Sequence, residues 1–185
     1  SFADPRVRHI RNETNLRHLA NYNKGIGLAR GKYVWLISAD DKLRRPYVLE
    51  RFVDLLERSP SAGYVFCPAM RFKGSEDTGV YGWRDGTEGV MRGRTFFRHL
   101  LRGNGVPAAA GLVRKECYER HGAFPLDMPF AGDWYMWCLF ALHSDVGFLS
   151  EPMVGWRDHE LNMTKFFKEK QALLVKDEFR VLWRV

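Results

Sequence analysis

The sequence predicts an α/β fold, a mixed sheet flanked by helices, and three observations carry that prediction. Tyr33-Val34-Trp35-Leu36-Ile37 is a run of β-branched and aromatic residues of the kind that fills a buried strand. After Pro46, a residue suited to a first helical turn, the apolar side chains Val48, Leu49, Phe52, Val53, Leu55 and Leu56 recur at helical intervals. Strands alternate with helices through the first half of the chain, and less regular elements follow.

The elements follow in order. Residues 7–10 predict a short strand and residues 12–15 a polar turn. Leu16, Leu19, Asn23 and Ile26 mark a helix that reaches Ala29, with Gly31 as its stop. Residues 32–37 form the strand already described, and the helix from Pro46 ends at Ser59-Pro60. Residues 62–70 read as one further buried strand. Residues 73–90 hold Gly74, Gly79, Gly82, Gly86 and Gly89, so they read as a surface loop with a short hairpin near 80–83. A helix at 95–102, a strand at 108–113, a helix at 115–120 and a loop at 122–129 come next. An aromatic helix at 132–143 precedes strands at 146–149 and 153–156. The tail, 165–185, reads as one amphipathic helix, with Phe166, Phe167, Leu173, Leu174, Phe179 and Leu182 set in a basic background. The division expected is a domain over 1–164 and a C-terminal helix over 165–185 packed on it.

Composition narrows the classes of function. The chain has 185 residues, 45% hydrophobic and 28% charged, which suits one globular domain with a sizeable core. No stretch approaches the ~20 apolar residues of a membrane span. The net charge of +7 points to nucleic acid, an anionic membrane surface or acidic small substrates. The basic residues are spread along the chain and form no block interleaved with aromatics, so nucleic acid is not the expected partner. Cys67, Cys117 and Cys138 lack metal-ligand or disulfide spacing, which predicts structural thiols in a reducing, cytoplasmic setting.

Three groups of residues carry chemistry. Asp40 and Asp41 follow the buried strand, at the kind of strand end where open α/β sheets bind ligands. Two acids there need a positive partner, and a divalent metal bridging to phosphate supplies one. The plainer reading is a solvated turn with Asp41 capping the next helix. Asp133 opens the aromatic helix, either as a simple cap or as a general base beside an apolar wall. Trp156-Arg157-Asp158-His159-Glu160-Leu161-Asn162-Met163-Thr164 gathers Arg, His and several polar residues after a strand, for binding or for structure.

Taken together, these pieces resemble a family 2 glycosyltransferase of the GT-A fold. The resemblance rests on Asn12 and Asn15, Asn21-Tyr22-Asn23-Lys24-Gly25-Ile26, Ala29-Arg30-Gly31-Lys32-Tyr33-Val34 and Ser38-Ala39-Asp40-Asp41. Further on it rests on Gly122-Ala123-Phe124, Gly132-Asp133-Trp134 with Trp137, and Glu151-Pro152 before Arg157-x-His159. It runs through the chain to about Thr164. It implies an inverting transfer of a sugar from a nucleotide-diphosphate donor to an acceptor hydroxyl. Asp40, Asp41 and His159 would hold Mg2+ or Mn2+, and Asp133 would act as base. Asn23, Lys24, Ser38 and Arg157 would contact the donor, and Trp134 and Trp137 the acceptor. The acceptor would be a glycan, a lipid-linked carrier or a protein. The enzyme would work in the cytoplasm or at the inner face of the membrane, where the tail offers a surface for peripheral contact.

Two departures qualify the match. Ser38 stands where the family's Asp-x-Asp motif has its first acid. The chain also starts after the strand and turn that cradle the nucleotide base in relatives, which predicts an N-terminally truncated form with weak donor binding. A degenerate module that binds a nucleotide-sugar without turnover is the main alternative. A nucleotidyltransferase would need a Gly-rich phosphate loop, and the sequence has none.

Overall fold

The computed structural model describes residues 4–160 and 162–185. Helix α1 (Arg17–Leu28) leads into β1 (Tyr33–Trp35), a two-residue strand β2 (Lys42–Leu43) and helix α2 (Val48–Arg58). Next come β3 (Ala62–Phe66), the hairpin β4 (Ala69–Lys73) and β5 (Glu76–Tyr81), β6 (Gly89–Met91) and helix α3 (Gly93–Leu100). A single 3-10 turn (Ala108–Ala110) feeds β7 (Gly111–Arg114), followed by α4 (Lys115–His121), α5 (Gly132–His143), β8 (Asp145–Phe148) and β9 (Val154–Arg157). Helices α6 (Met163–Glu169) and α7 (Gln171–Arg184) close the chain.

The strands form two mixed sheets. One has the order β1-β7-β3-β8-β6, with β3 and β8 parallel and the other pairs antiparallel. The other has the order β2-β9-β4-β5, with β4 and β9 parallel. Two apolar cores form, and the five-stranded sheet contributes to both. One core joins Tyr64, Phe66, Phe96, Trp137, Phe140 and Phe148 between the first sheet, α3 and α5. The other packs Val48, Phe52 and Leu56 of α2 against Val65, Leu112 and Val154. Buried Arg114 ties the layers, donating to the carbonyls of Ala62 at 2.7 Å and Leu56 at 2.5 Å.

Several sequence expectations change. Residues 7–10 form no strand; they are exposed and join neither sheet. The expected strand over 62–70 divides at Cys67-Pro68 into β3 and β4, which belong to different sheets. Every residue from Ala62 to Ala69 is buried, so hydropathy reads straight through the break. Proline lacks the N–H that a central strand must donate. The predicted surface loop after 73 is strand at 76–81 and irregular over 82–88, and its hairpin turns at Gly74 rather than near 80–83. The tail is two helices, interrupted at Lys170 (φ −106°, ψ 60°). Its inner face reaches the domain through Phe167, whose ring meets Phe130 at 5.3 Å, and through buried Val181.

Candidate active site

Strand β1 ends at Trp35, and the chain crosses residues 36–38 into a turn closed by the Asp41 N–H donating to the Ser38 carbonyl at 3.1 Å. Asp40 and Asp41 sit in this turn. Helix α2 starts seven positions beyond Asp41, with Tyr47 at its cap, so Asp41 does not cap a helix. The acids instead meet the chain leaving β9. The Arg157 N–H donates to Asp41 Oδ1 at 3.2 Å, the Arg157 Nε to the Asp40 carbonyl at 2.9 Å, and His159 Nε2 lies 2.9 Å from Asp40 Oδ2. Asn162, itself buried, fixes this return: its Oδ1 accepts from the His159 N–H at 2.6 Å and its Nδ2 donates to the Arg157 carbonyl at 2.9 Å.

These groups form one wall of a cavity of 340 Å³. Tyr22 and His18 of α1, Ser38, Gly111 at the start of β7, Asp133 and Trp137 of α5, and Phe167 of α6 enclose the rest. Tyr22 Oη and Ser38 Oγ lie 3.2 Å apart. His18 Nε2 bonds the Pro129 carbonyl at 2.8 Å, holding the loop before α5 against α1. Asp133 lies in the first turn of α5, where the helix dipole favours a carboxylate. It is not the cap, which is Ala131. Its Oδ1 accepts from the Trp134 N–H at 2.7 Å, and its Oδ2 accepts from Asn104 Nδ2 at 3.1 Å.

Protein surrounds Asp133 on all sides but the cavity, and that desolvation pushes its pKa from 3.8 up to about 6, against the smaller opposing effect of its hydrogen bonds. Asp41 is likewise pushed up to about 6, first by burial and then by the neighbouring Asp40 charge, with the Arg157 N–H pulling the other way. A carboxylate with a pKa near 6 is basic enough to take a proton and still ionised at neutral pH.

Of the residues read from sequence, Ser38, Asp40, Asp41, Asp133 and Trp137 line the cavity, and Arg157 and His159 bond directly to the acid turn. The others go elsewhere. Asn23 bonds both the N–H and the carbonyl of Phe124, at 2.9 Å each, so it ties α1 to the loop after α4. Lys24 donates to Asn12 Oδ1 at 2.6 Å on the surface. Trp134 points its indole away from the cavity to the Leu100 carbonyl at 2.8 Å, because the helical turn that brings Asp133 and Trp137 to the cavity carries Trp134 into the core. Trp137 presents a buried indole N–H with no hydrogen-bond partner among the described residues.

The sequence reading does not find Asn104, and it includes Asn162 in the polar cluster after the last strand without giving it a role. Asn162 had a signal, its position three residues after His159. Asn104 is flanked by Gly103 and Gly105, but nothing local marks its partner 29 positions away.

No cluster of three or more His, Cys, Asp or Glu side chains arranged for a metal occurs among the described residues. The donor set therefore does not fit an all-protein cage. It does fit a hard divalent ion shared with a ligand's phosphates, which needs one or two protein carboxylates. Asp40 with His159 is such a set, with Asp41 adjacent.

No curated protein matches the sequence. Solved structures do match in fold. S. aureus TarS 1-349 in complex with UDP superposes with a TM-score of 0.57 at 12% identity, covering 83% of this chain and 43% of that one. The mannosyltransferase PcManGT from Pyrobaculum calidifontis, in complex with GDP-Man and Mn2+, gives 0.60 at 17% identity, covering 92% of this chain and 44% of that one. The chain thus spans less than half the length of these structural relatives, and shares with them a GT-A fold. The model of the family described as Glycosyl transferase family 2 matches residues 1–117, well over half the sequence and including the Asp40-Asp41 turn, and the chain belongs to that family.

Proposed function

We propose that this chain carries the catalytic end of an inverting glycosyltransferase, which moves a sugar from a nucleotide-diphosphate donor to an acceptor hydroxyl. The observation that carries the reading is the cavity lined by Asp40 and Asp41 on one side and by Asp133 on another. TarS in complex with UDP and PcManGT in complex with GDP-Man and Mn2+ support a nucleotide-sugar donor.

The donor diphosphate belongs at the acid turn, where Arg157 adds a cation. Asp40 and His159 would hold Mg2+ or Mn2+ there, and the ion when bound supplies positive charge against the diphosphate leaving group. Asp133, across the cavity, takes the proton from the acceptor hydroxyl as that oxygen attacks the anomeric carbon. Attack from the face opposite the leaving group inverts the configuration. Trp137 gives the sugar an apolar edge and an indole N–H without another partner. The acceptor is a glycan, a lipid-linked carrier or a protein. No helix of the described residues is long and apolar enough to cross a membrane.

Asp133→Asn tests the reading in the protein carrying this domain. Transfer should fall by ~10²–10⁴, the typical worth of a general base, with donor binding unchanged. Loss of donor binding would refute the base assignment. One observation favours a second reading, a module that binds without turnover. Ser38 replaces an acid, and the Asp41 carboxylate is engaged by a backbone N–H. That reading predicts donor binding with no transfer in the parent chain.

A further inference from the structure

A second cleft, of 510 Å³, lies beside the cavity and shares no lining residue with it. Its walls are the end of β5 and the loop after α3. Two contacts join it to the catalytic cavity. Asn104 faces the cleft and donates to Asp133 Oδ2 at 3.1 Å, and the Tyr81 ring packs on Trp156, which lines the cavity, at 5.6 Å between centroids. Asn104 therefore stands between the cleft and the carboxylate assigned as base, which lines the first cavity.

The cleft is locally well fixed. The Trp83 N–H donates to the Gly105 carbonyl at 2.7 Å, tying the strand end to the loop. Between them Gly82 has φ +106°, and a Cβ there would lie 3.0 Å from Pro107 and 3.1 Å from the Gly105 oxygen, so glycine is required for this approach. Trp83 packs against His99 at 5.7 Å and Phe148 at 4.8 Å. Asn104 Oδ1 accepts from the Val106 N–H at 3.1 Å, which turns its amide nitrogen toward Asp133.

The chemistry of the walls is specific. Tyr81 is 43% exposed and offers a ring face beside Trp83. Arg84 and Arg102 line the cleft, and among the described residues neither guanidinium enters an ion pair or side-chain hydrogen bond. Asp85 is the one carboxylate in the lining. By contrast, three arginines of the neighbouring strand-and-helix surface are held by carboxylates, Arg44 by Asp77 and Arg45 and Arg51 by Glu151. Two unpaired forked cations beside aromatic rings suit a sugar that carries its own anion, since guanidinium groups bind phosphate and carboxylate bidentately and rings take sugar faces.

We propose that this cleft is the acceptor subsite, and that it takes a sugar bearing a phosphate or carboxylate, held by Arg84 and Arg102 with its hydroxyl directed to Asp133. The inference rests on the reading of Asp133 as base, and its test does not use transfer. Binding to the 185-residue chain is measured by titration calorimetry or ligand-observed NMR, with glucose 6-phosphate, glucuronate, glucose and inorganic phosphate as probes. At least one charged sugar should bind ~10-fold or more tightly than glucose and than phosphate alone, and the stronger of the two identifies the anion. Arg84→Ala and Arg102→Ala, both surface changes, should each weaken that binding several-fold, and the double variant should abolish it with UDP binding unchanged. Asp133→Asn should keep the charged sugar bound even if it retains transfer, a result that would sink the base reading alone. Equal binding of glucose, equal binding of inorganic phosphate, displacement of the charged sugar by UDP, or full binding by the double variant would each overturn the proposal.

Discussion

At the scale of single residues, the proposed reaction gives Asp40 and Asp133 separable duties. Asp40 lies 2.9 Å from His159, outside any pairing with Asp133, so its loss should act on metal use and not on proton transfer. Asp40→Ala should remove the dependence of activity on added Mg2+ or Mn2+, and an unchanged metal titration would refute its role. Asp133 must be ionised to accept a proton. With its pKa pushed up to about 6 by burial, the rate should fall on acidification with a midpoint near pH 6, well above an ordinary aspartate. A pH–rate profile flat down to pH 4.5 would remove Asp133 from the rate-limiting chemistry. The buried thiols stand apart from this chemistry: burial pushes Cys67 and Cys138 to about 12 and Cys117 to about 11, which keeps them protonated and inert.

Among the elements, α7 does more than cover an apolar face. Asp177 is 3% exposed, and its Oδ2 accepts from the Phe130 N–H at 2.8 Å, while Arg184 pairs with Asp127 at 2.7 Å and Arg180 also reaches that loop. The clamped segment, 127–130, leads directly into the helix that bears Asp133. Asp177→Ala would leave a buried backbone donor unpaired and should cost about 1–3 kcal/mol in denaturant unfolding. It should also slow transfer with less effect on donor binding, because the donor wall is built from other elements. The outer face of α7 leaves Phe179 at 64% and Trp183 at 80% exposed, stacked on each other at 6.1 Å.

Whole-molecule stability reflects the cost of these site carboxylates. A group whose folded pKa is about 6 and whose ordinary value is 3.8 holds its proton longer in the folded chain. The unfolded chain then sheds the proton first, so stability declines as pH rises from about 4 to about 6 and levels off above that. Asp133→Asn removes this penalty at one site. The variant should match the parent near pH 4 and exceed it above pH 6, by on the order of 2 kcal/mol after allowing for water in the cavity. Equal melting curves at pH 7.5 would show that Asp133 is better solvated than its surroundings imply.

The helices at 17–28, 48–58 and 132–143 and the strand before the acid pair were legible in the residues, because period, breakers and strand-to-acid junctions are local properties of a chain; that this strand keeps only Tyr33–Trp35 and stands at the edge of its sheet was not. The order of Asn, Gly, Asp and His motifs was legible for the same reason, and the family match over residues 1–117 agrees with it. Tertiary structure decided the rest. It divided a continuous apolar run at Pro68 between two sheets and sent Asn23, Lys24 and Trp134 away from the cavity. It also set His159 against Asp40 across 119 positions and Asn104 against Asp133 across 29. Those outcomes depend on which remote surfaces pack together, and so does the desolvation that raises the proton affinity of Asp133. A carboxylate's identity is written in the sequence; its exposure, partners and proton affinity are set by the fold around it.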